Sequence, residues 1–119
     1  MSRAARRAKD EHELSELQRA FEEKLVAALL ACAAGQWGLF GRSARDAGRS
    51  FGRARFESKE ATELLRVGDE IDAMRTALGY PDGFALYARL REYRRRNKDD
   101  DPAEPRLAKE FLAEIEGRA

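Results

Sequence analysis

Apolar side chains recur every three or four residues along most of this chain, and this spacing limits its fold more than any other feature. The longest such stripe consists of Leu14, Leu17, Phe21, Leu25, Ala28 and Cys32, and Leu29 widens it. Gly35 is suited to end a helix. We predict a helix over about 10–34. Residues 1–9 carry no large apolar side chain after Met1, so we expect a flexible basic arm or the loose start of a helix there.

The same spacing predicts three further helices, over about 59–78, 84–97 and 105–116. Ser58 is a suitable N-cap and Gly79 a suitable C-cap for the first of them. A weaker pattern indicates an extra helix over 43–55, and no segment alternates apolar and polar residues as a strand would. The sequence therefore predicts an all-α fold, a compact bundle of four main helices in a single domain over 10–119.

Composition excludes several classes of protein. A chain of 119 residues has an ordinary single-domain size and can bury one modest core. It has one cysteine, Cys32, and one histidine, His12, so one chain can form neither an internal disulfide nor a Cys/His zinc site. We expect a cytoplasmic protein without a cofactor or a metal.

Residues 25–34 form an unbroken apolar run. A helix that crosses a bilayer needs about 20 such residues, so we expect no membrane partner. A signal peptide has a basic leader directly before its apolar stretch, whereas Glu22 and Glu23 precede this one. We expect the rest of the domain to surround this half of the first helix.

Charge is ordered along the chain although the net charge is only +1. Basic blocks at 1–9, 42–56 and 79–98 alternate with acidic blocks at 10–23, 57–78 and 99–119. One interpretation is that neighbouring elements pair these blocks inside the fold. The other is that the basic blocks converge on an anionic partner, and the sequence alone leaves both open.

Residues 35–42 combine three glycines with three large apolar side chains, Trp37, Leu39 and Phe40. Their spacing and the preceding helix do not match a phosphate-binding loop or a dinucleotide fingerprint. No basic residue lies between the glycines, as an RNA-binding Gly-x-x-Gly clamp would require. Either these side chains fold back and close one end of the bundle, or they are exposed anchors for a partner protein.

Arginines form two one-sided helical stripes. The first, the arginine ladder, consists of Arg42, Arg45, Arg49 and Arg53. Opposite it lie Ala44, Gly48 and Gly52, a face suited to close packing within the bundle or in a homodimer. The second stripe consists of Arg91, Arg94, Arg95 and Lys98, flanked by Arg89 and Arg96. Arginine binds phosphate and carboxylate alike, and the isoelectric point near 7.9 is below the value above 9 that is typical of nucleic-acid-binding domains.

Patterns that indicate catalysis are scarce. His12 has no nucleophile near it in sequence, and Cys32 lies on the apolar stripe, where a free thiol packs as a small core residue. The acids between Glu60 and Asp72 resemble those of a di-metal bundle, but their helix carries no histidine. The triplet 99–101 lacks the glycine and later glutamate of a calcium loop. We therefore predict that the protein is not an enzyme.

The sequence as a whole predicts a small non-catalytic protein that acts by protein–protein binding, as an adaptor, inhibitor or regulatory subunit. Its predicted contact surface joins the aromatic loop to the arginine ladder and consists of Trp37, Leu39, Phe40, Arg42, Arg45, Arg49 and Arg53. The partner is an unidentified protein, and a homodimer is compatible with this prediction. The alternative is a nucleic-acid-binding protein with contacts in 42–53 and at Arg89, Arg91, Arg94, Arg95, Arg96 and Lys98.

Overall fold

The computed structural model describes residues 2–36, 38–40, 57–99 and 104–117. These residues form four helices, α1 (Arg3–Ala33), α2 (Lys59–Ala77), α3 (Ala85–Asp99) and α4 (Glu104–Glu116), and they contain no strand. The predicted all-α bundle of four main helices is confirmed. The weak helix predicted over 43–55 lies outside the described residues.

α1 begins seven residues earlier than predicted, because residues 3–9 are helical. Ser2 caps this end, since its hydroxyl accepts a hydrogen bond from the Ala5 N–H at 3.1 Å. Alanine, arginine and lysine, which fill most of this segment, are also strong helix formers. Arg7 pairs with Glu11 at 3.0 Å and donates to the Leu78 carbonyl oxygen at 3.0 Å. Of the two alternatives for this segment, the structure has the start of a helix. A segment without large apolar side chains can still be helical.

The helix ends follow their capping residues. Gly35 and Gly79 have φ of 73° and 87°, in the left-handed region that glycine adopts readily. The Ser58 hydroxyl accepts a hydrogen bond from the Ala61 N–H at 3.0 Å, as predicted for an N-cap. α3 takes its cap from another helix, because Asp72 of α2 accepts a hydrogen bond from the Phe84 N–H at 2.8 Å.

α1 lies at the centre of the bundle and packs against both α2 and α4, while α3 packs against α4. Phe21 of α1 is fully buried and lies edge-on to Phe84 and Tyr87, with ring centroids 5.5 Å and 6.1 Å away. The Tyr87 ring also lies against Gly68 of α2, where an added Cβ would come within 2.2 Å of it. This close approach explains a glycine in the middle of a helix, where it costs about 1 kcal/mol relative to alanine.

Candidate functional site

Two of the predicted partner contacts, Leu39 and Phe40, are in the described part of the chain, and both are buried, with exposed fractions of 0% and 8%. An anchor for a partner has to be exposed, so the buried pair does not belong to the candidate surface. Their burial agrees with the other interpretation, in which the loop closes one end of the bundle. The remaining predicted contacts, Trp37, Arg42, Arg45, Arg49 and Arg53, lie outside the described residues.

A buried carboxylate holds residues 39–40 in place. Oε1 of Glu104 accepts hydrogen bonds from the Leu39 N–H at 2.7 Å, the Phe40 N–H at 3.3 Å and the Tyr93 hydroxyl at 2.8 Å. The Cys32 thiol donates to the same oxygen at 3.7 Å. Glu104 is the first residue of α4, where the helix dipole favours a negative charge. One side chain therefore joins α1, α3 and α4 to residues 39–40, and we call this group the Glu104 hub.

The environment of the Glu104 hub suppresses the reactivity of its members. Burial, together with the nearby Glu104 charge, raises the pKa of Cys32 to about 12. The same two causes raise the pKa of Tyr93. A thiol with so high a pKa is protonated at neutral pH and is a poor nucleophile. The hub is therefore suited to holding the fold together. Its one signal in the sequence is an acid directly before the helix predicted over 105–116.

The arginines of α3, the alternative nucleic-acid contacts, are in contact with other side chains of the same chain. Arg94 pairs with Glu57 at 3.4 Å and Arg96 with Glu110 at 3.1 Å, and Arg89 pairs with Glu114. Arg95 pairs with Glu92, and the Arg91 guanidinium lies 4.9 Å from the centroid of the Tyr87 ring. The side chain of Lys98 is outside the described part. In this region, basic and acidic blocks pair inside the fold, which is the first of the two interpretations of the charge pattern.

The carboxylates of α2, which resembled a di-metal set, make separate contacts. Glu63 pairs with Lys24 at 2.9 Å and Glu70 with Arg66 at 2.6 Å. The Tyr87 hydroxyl donates to Asp69 at 2.6 Å, and Asp72 caps α3. Among the described residues, no group of three or more histidines, cysteines or acids could hold a metal ion. Four of the five α2 acids therefore have a partner within the chain, and the fifth is Glu60.

An open groove of about 700 Å³ runs between α1 and α4 on the outside of the bundle. We call it the α1/α4 groove, and it is lined by Glu22, Glu23, Val26, Ala27, Leu30, Ile115 and Glu116. Leu30 is 57% exposed and Val26 and Ile115 are half-buried. The only other exposed large apolar residue in the described part is Tyr80, whose ring is covered by the Arg75 guanidinium at 4.8 Å. Leu30 is thus the most accessible large apolar side chain in the described ranges.

The charged residues described in this groove are all acidic. Glu23 has a distant counter-ion in Arg19, at 3.7 Å, whereas Glu22 and Glu116 have no ionic partner among the described residues. Three other grooves of the bundle carry both signs of charge. The α1/α2 groove contains the ion pair of Lys24 and Glu63, and the two grooves between α3 and α4 contain that of Arg89 and Glu114.

The groove corrects the expectation that the domain surrounds the second half of α1. Ala27 and Leu30 are exposed, although both belong to the unbroken apolar run. A signal in the sequence could have indicated this, because Val26 and Leu30 are one turn apart and lie off the apolar stripe that fills the core. No described helix is both long enough and apolar enough to cross a membrane.

Comparisons with known proteins add no functional assignment: no family model, curated protein or solved structure matches the chain.

Proposed function

We propose that this chain is a small non-catalytic protein that acts by binding another protein, and that the α1/α4 groove is its contact surface. One observation carries the proposal: Leu30 is 57% exposed beside the half-buried Val26 and Ile115. Exposed apolar side chains that cluster in a groove with a polar rim are typical of protein-binding sites. The buried, protonated thiol of Cys32 needs no oxidising compartment, and this supports a cytoplasmic location.

Two further observations favour a protein partner over a nucleic acid. The described arginines of α3 contact carboxylates or an aromatic ring, so phosphate would compete with these groups for the guanidinium donors. The α1/α4 groove is acidic, and a polyphosphate backbone would be repelled from it. The arginine ladder and Trp37 stay a predicted second contact region from the sequence.

A capture experiment with two forms of the full chain tests this function. Tagged wild type and the Leu30→Lys variant are incubated with native cytosol, with and without nuclease, and retained material is identified by mass spectrometry. We expect at least one protein that survives nuclease treatment and is lost with Leu30→Lys. Recovery of nucleic acid alone, or of no specific protein, would contradict the proposed function. A protein that both forms retain would move the contact surface away from the groove.

A further inference from the structure

We propose that the α1/α4 groove binds a basic amphipathic helix of the partner, an inference that rests on the protein-binding function proposed above. The shape of the groove favours a helix, and the sign of its charges favours a basic one.

The shape of the groove fits a helix. Its walls are two neighbouring helices, and Val26 and Leu30 on one wall are one turn apart. A helix that lies along the groove repeats its own side chains at the same interval, about 5.4 Å per turn. Apolar residues at three- and four-residue spacing on the partner would therefore meet Val26, Leu30 and Ile115 in turn.

The charge of the groove selects a basic helix. Glu22, Glu23 and Glu116 line its edges, and no cationic side chain among the described residues lines it. The whole chain has a net charge of +1, so it does not attract cations in general. Attraction of a basic partner would therefore be local to this groove, and lysines or arginines beside the apolar face of the partner helix would supply the missing counter-ions.

A second copy of this chain is a poorer occupant of the same groove. In a two-fold symmetric dimer the same patch occurs on both subunits, so the acidic edges of the two grooves would face each other. Like charges placed together across an interface oppose association. The acidic lining thus favours a different, basic chain over a dimer through this face.

The probe is a fluorescent peptide of about 18 residues, with leucines at helical spacing and lysines at the remaining positions. A control peptide of the same length has glutamates in place of the lysines. Fluorescence anisotropy with the full-length protein measures the affinity of each. We expect the lysine peptide to bind and the glutamate peptide not to bind, and we expect binding of the lysine peptide to weaken as salt is added.

Variants locate the binding. Leu30→Ala removes the exposed anchor and should lower the affinity for the lysine peptide by about tenfold or more. Glu22→Gln with Glu116→Gln removes two rim charges and should lower the same affinity by about three- to tenfold. The matched control, Glu13→Gln with Glu60→Gln, removes the same charge from two exposed positions outside the groove that also have no ionic partner among the described residues, and it should leave the affinity unchanged.

Three results would overturn the inference. The first is equal binding of the two peptides, and the second is equal affinity of the rim variant and its control for the lysine peptide. The third is a wild-type dimer in sedimentation that Leu30→Lys disrupts, which would assign the groove to a second copy. These outcomes are separate from failure of the proposed function. If the capture experiment retains a protein through Leu30 while the lysine peptide does not bind, protein binding stands and the basic-helix partner does not.

Discussion

The acidic side chains of α4 have different surroundings on the two sides of that helix. Toward α3, Glu110 pairs with Arg96 and Glu114 pairs with Arg89. Toward α1, Glu116 lines an apolar groove together with Glu22, and neither has an ionic partner among the described residues. The same residue type therefore connects helices on one side, and on the other it lies beside an exposed leucine with no described counter-ion.

A third environment completes the comparison. Glu104, at the start of α4, is buried and accepts hydrogen bonds from two backbone N–H groups and a tyrosine hydroxyl. The carboxylates of α4 are thus buried, paired at the surface, or, at the groove, without an ionic partner in the described part of the chain. The first two environments contribute to the stability of the fold, and only the third is free to serve a partner. The following predictions test this division.

The largest expected effect on stability follows from Glu104→Ala. The substitution leaves the Leu39 and Phe40 N–H groups and the Tyr93 hydroxyl without their acceptor, and buried donors that lose a partner cost about 1–3 kcal/mol each. We expect a loss of about 3 kcal/mol or more in the free energy of unfolding, measured by urea denaturation. Glu116→Ala is the control and should change it by less than about 0.5 kcal/mol. Similar losses for the two variants would remove the distinction between the hub and the groove.

The reactivity of Cys32 reports on the same hub. In the wild type the thiol is buried and its pKa is raised to about 12, so a thiol reagent should label it only when the structure opens. Without the Glu104 contact, residues 39–40 are held less firmly over Cys32. We expect labelling to be faster by about tenfold or more in Glu104→Ala. Rapid labelling of the wild type would show that Cys32 is not enclosed.

A smaller effect separates the two sides of α4. Replacing Glu110 and Glu114 by glutamine removes two interhelical ion pairs and the pair of Glu110 with Arg106 within α4. We expect a loss of about 0.5–1 kcal/mol in the free energy of unfolding, measured by thermal or urea denaturation. Replacing Glu22 and Glu116 in the same way removes no described ion pair, so stability should stay within about 0.5 kcal/mol of the wild type. If the groove pair costs as much as the α3 pair, those acids have a structural role.

The smallest expected effect on stability occurs at acid pH and comes from the ion pair of Lys24 and Glu63. A hydrogen bond from the Lys24 ammonium to Glu63 lowers the pKa of that carboxyl. A carboxyl whose pKa is lower in the folded state contributes stability above its unfolded pKa, and this is lost as the pH falls through the folded value. An NMR titration should therefore give a Glu63 pKa below the ordinary value, and Lys24→Met should raise it. No change on that substitution would mean that the pair does not form in solution.

The helices were predictable from the sequence because their signals are local. Apolar spacing, the Ser58 cap and the glycines at 35 and 79 each act within a few residues, and the structure has helices that end beside those residues. The exception is the start of α1. There the lack of apolar side chains hides a helix that the Ser2 cap and strong helix formers stabilise.

The site was less predictable because its properties depend on partners distant in sequence. Glu104 and Leu39 are 65 positions apart, and nothing local shows that an acid in a first turn accepts hydrogen bonds there. Likewise, Leu29 and Leu30 are adjacent leucines in one apolar run, yet the first is fully buried and the second is 57% exposed. The apolar stripe contains Leu29 and not Leu30, but every position of 25–34 is apolar, so the run hides the difference between the two faces.

The central claim is that the acidic side chains beside Leu30 make the α1/α4 groove a docking surface for a basic helix. Amide chemical shifts recorded by NMR during titration with the lysine peptide test it most directly. We predict shift changes confined to residues 22–31 of α1 and 112–117 at the end of α4. Changes centred on α2 or α3, or the same changes with the glutamate peptide, would contradict the claim.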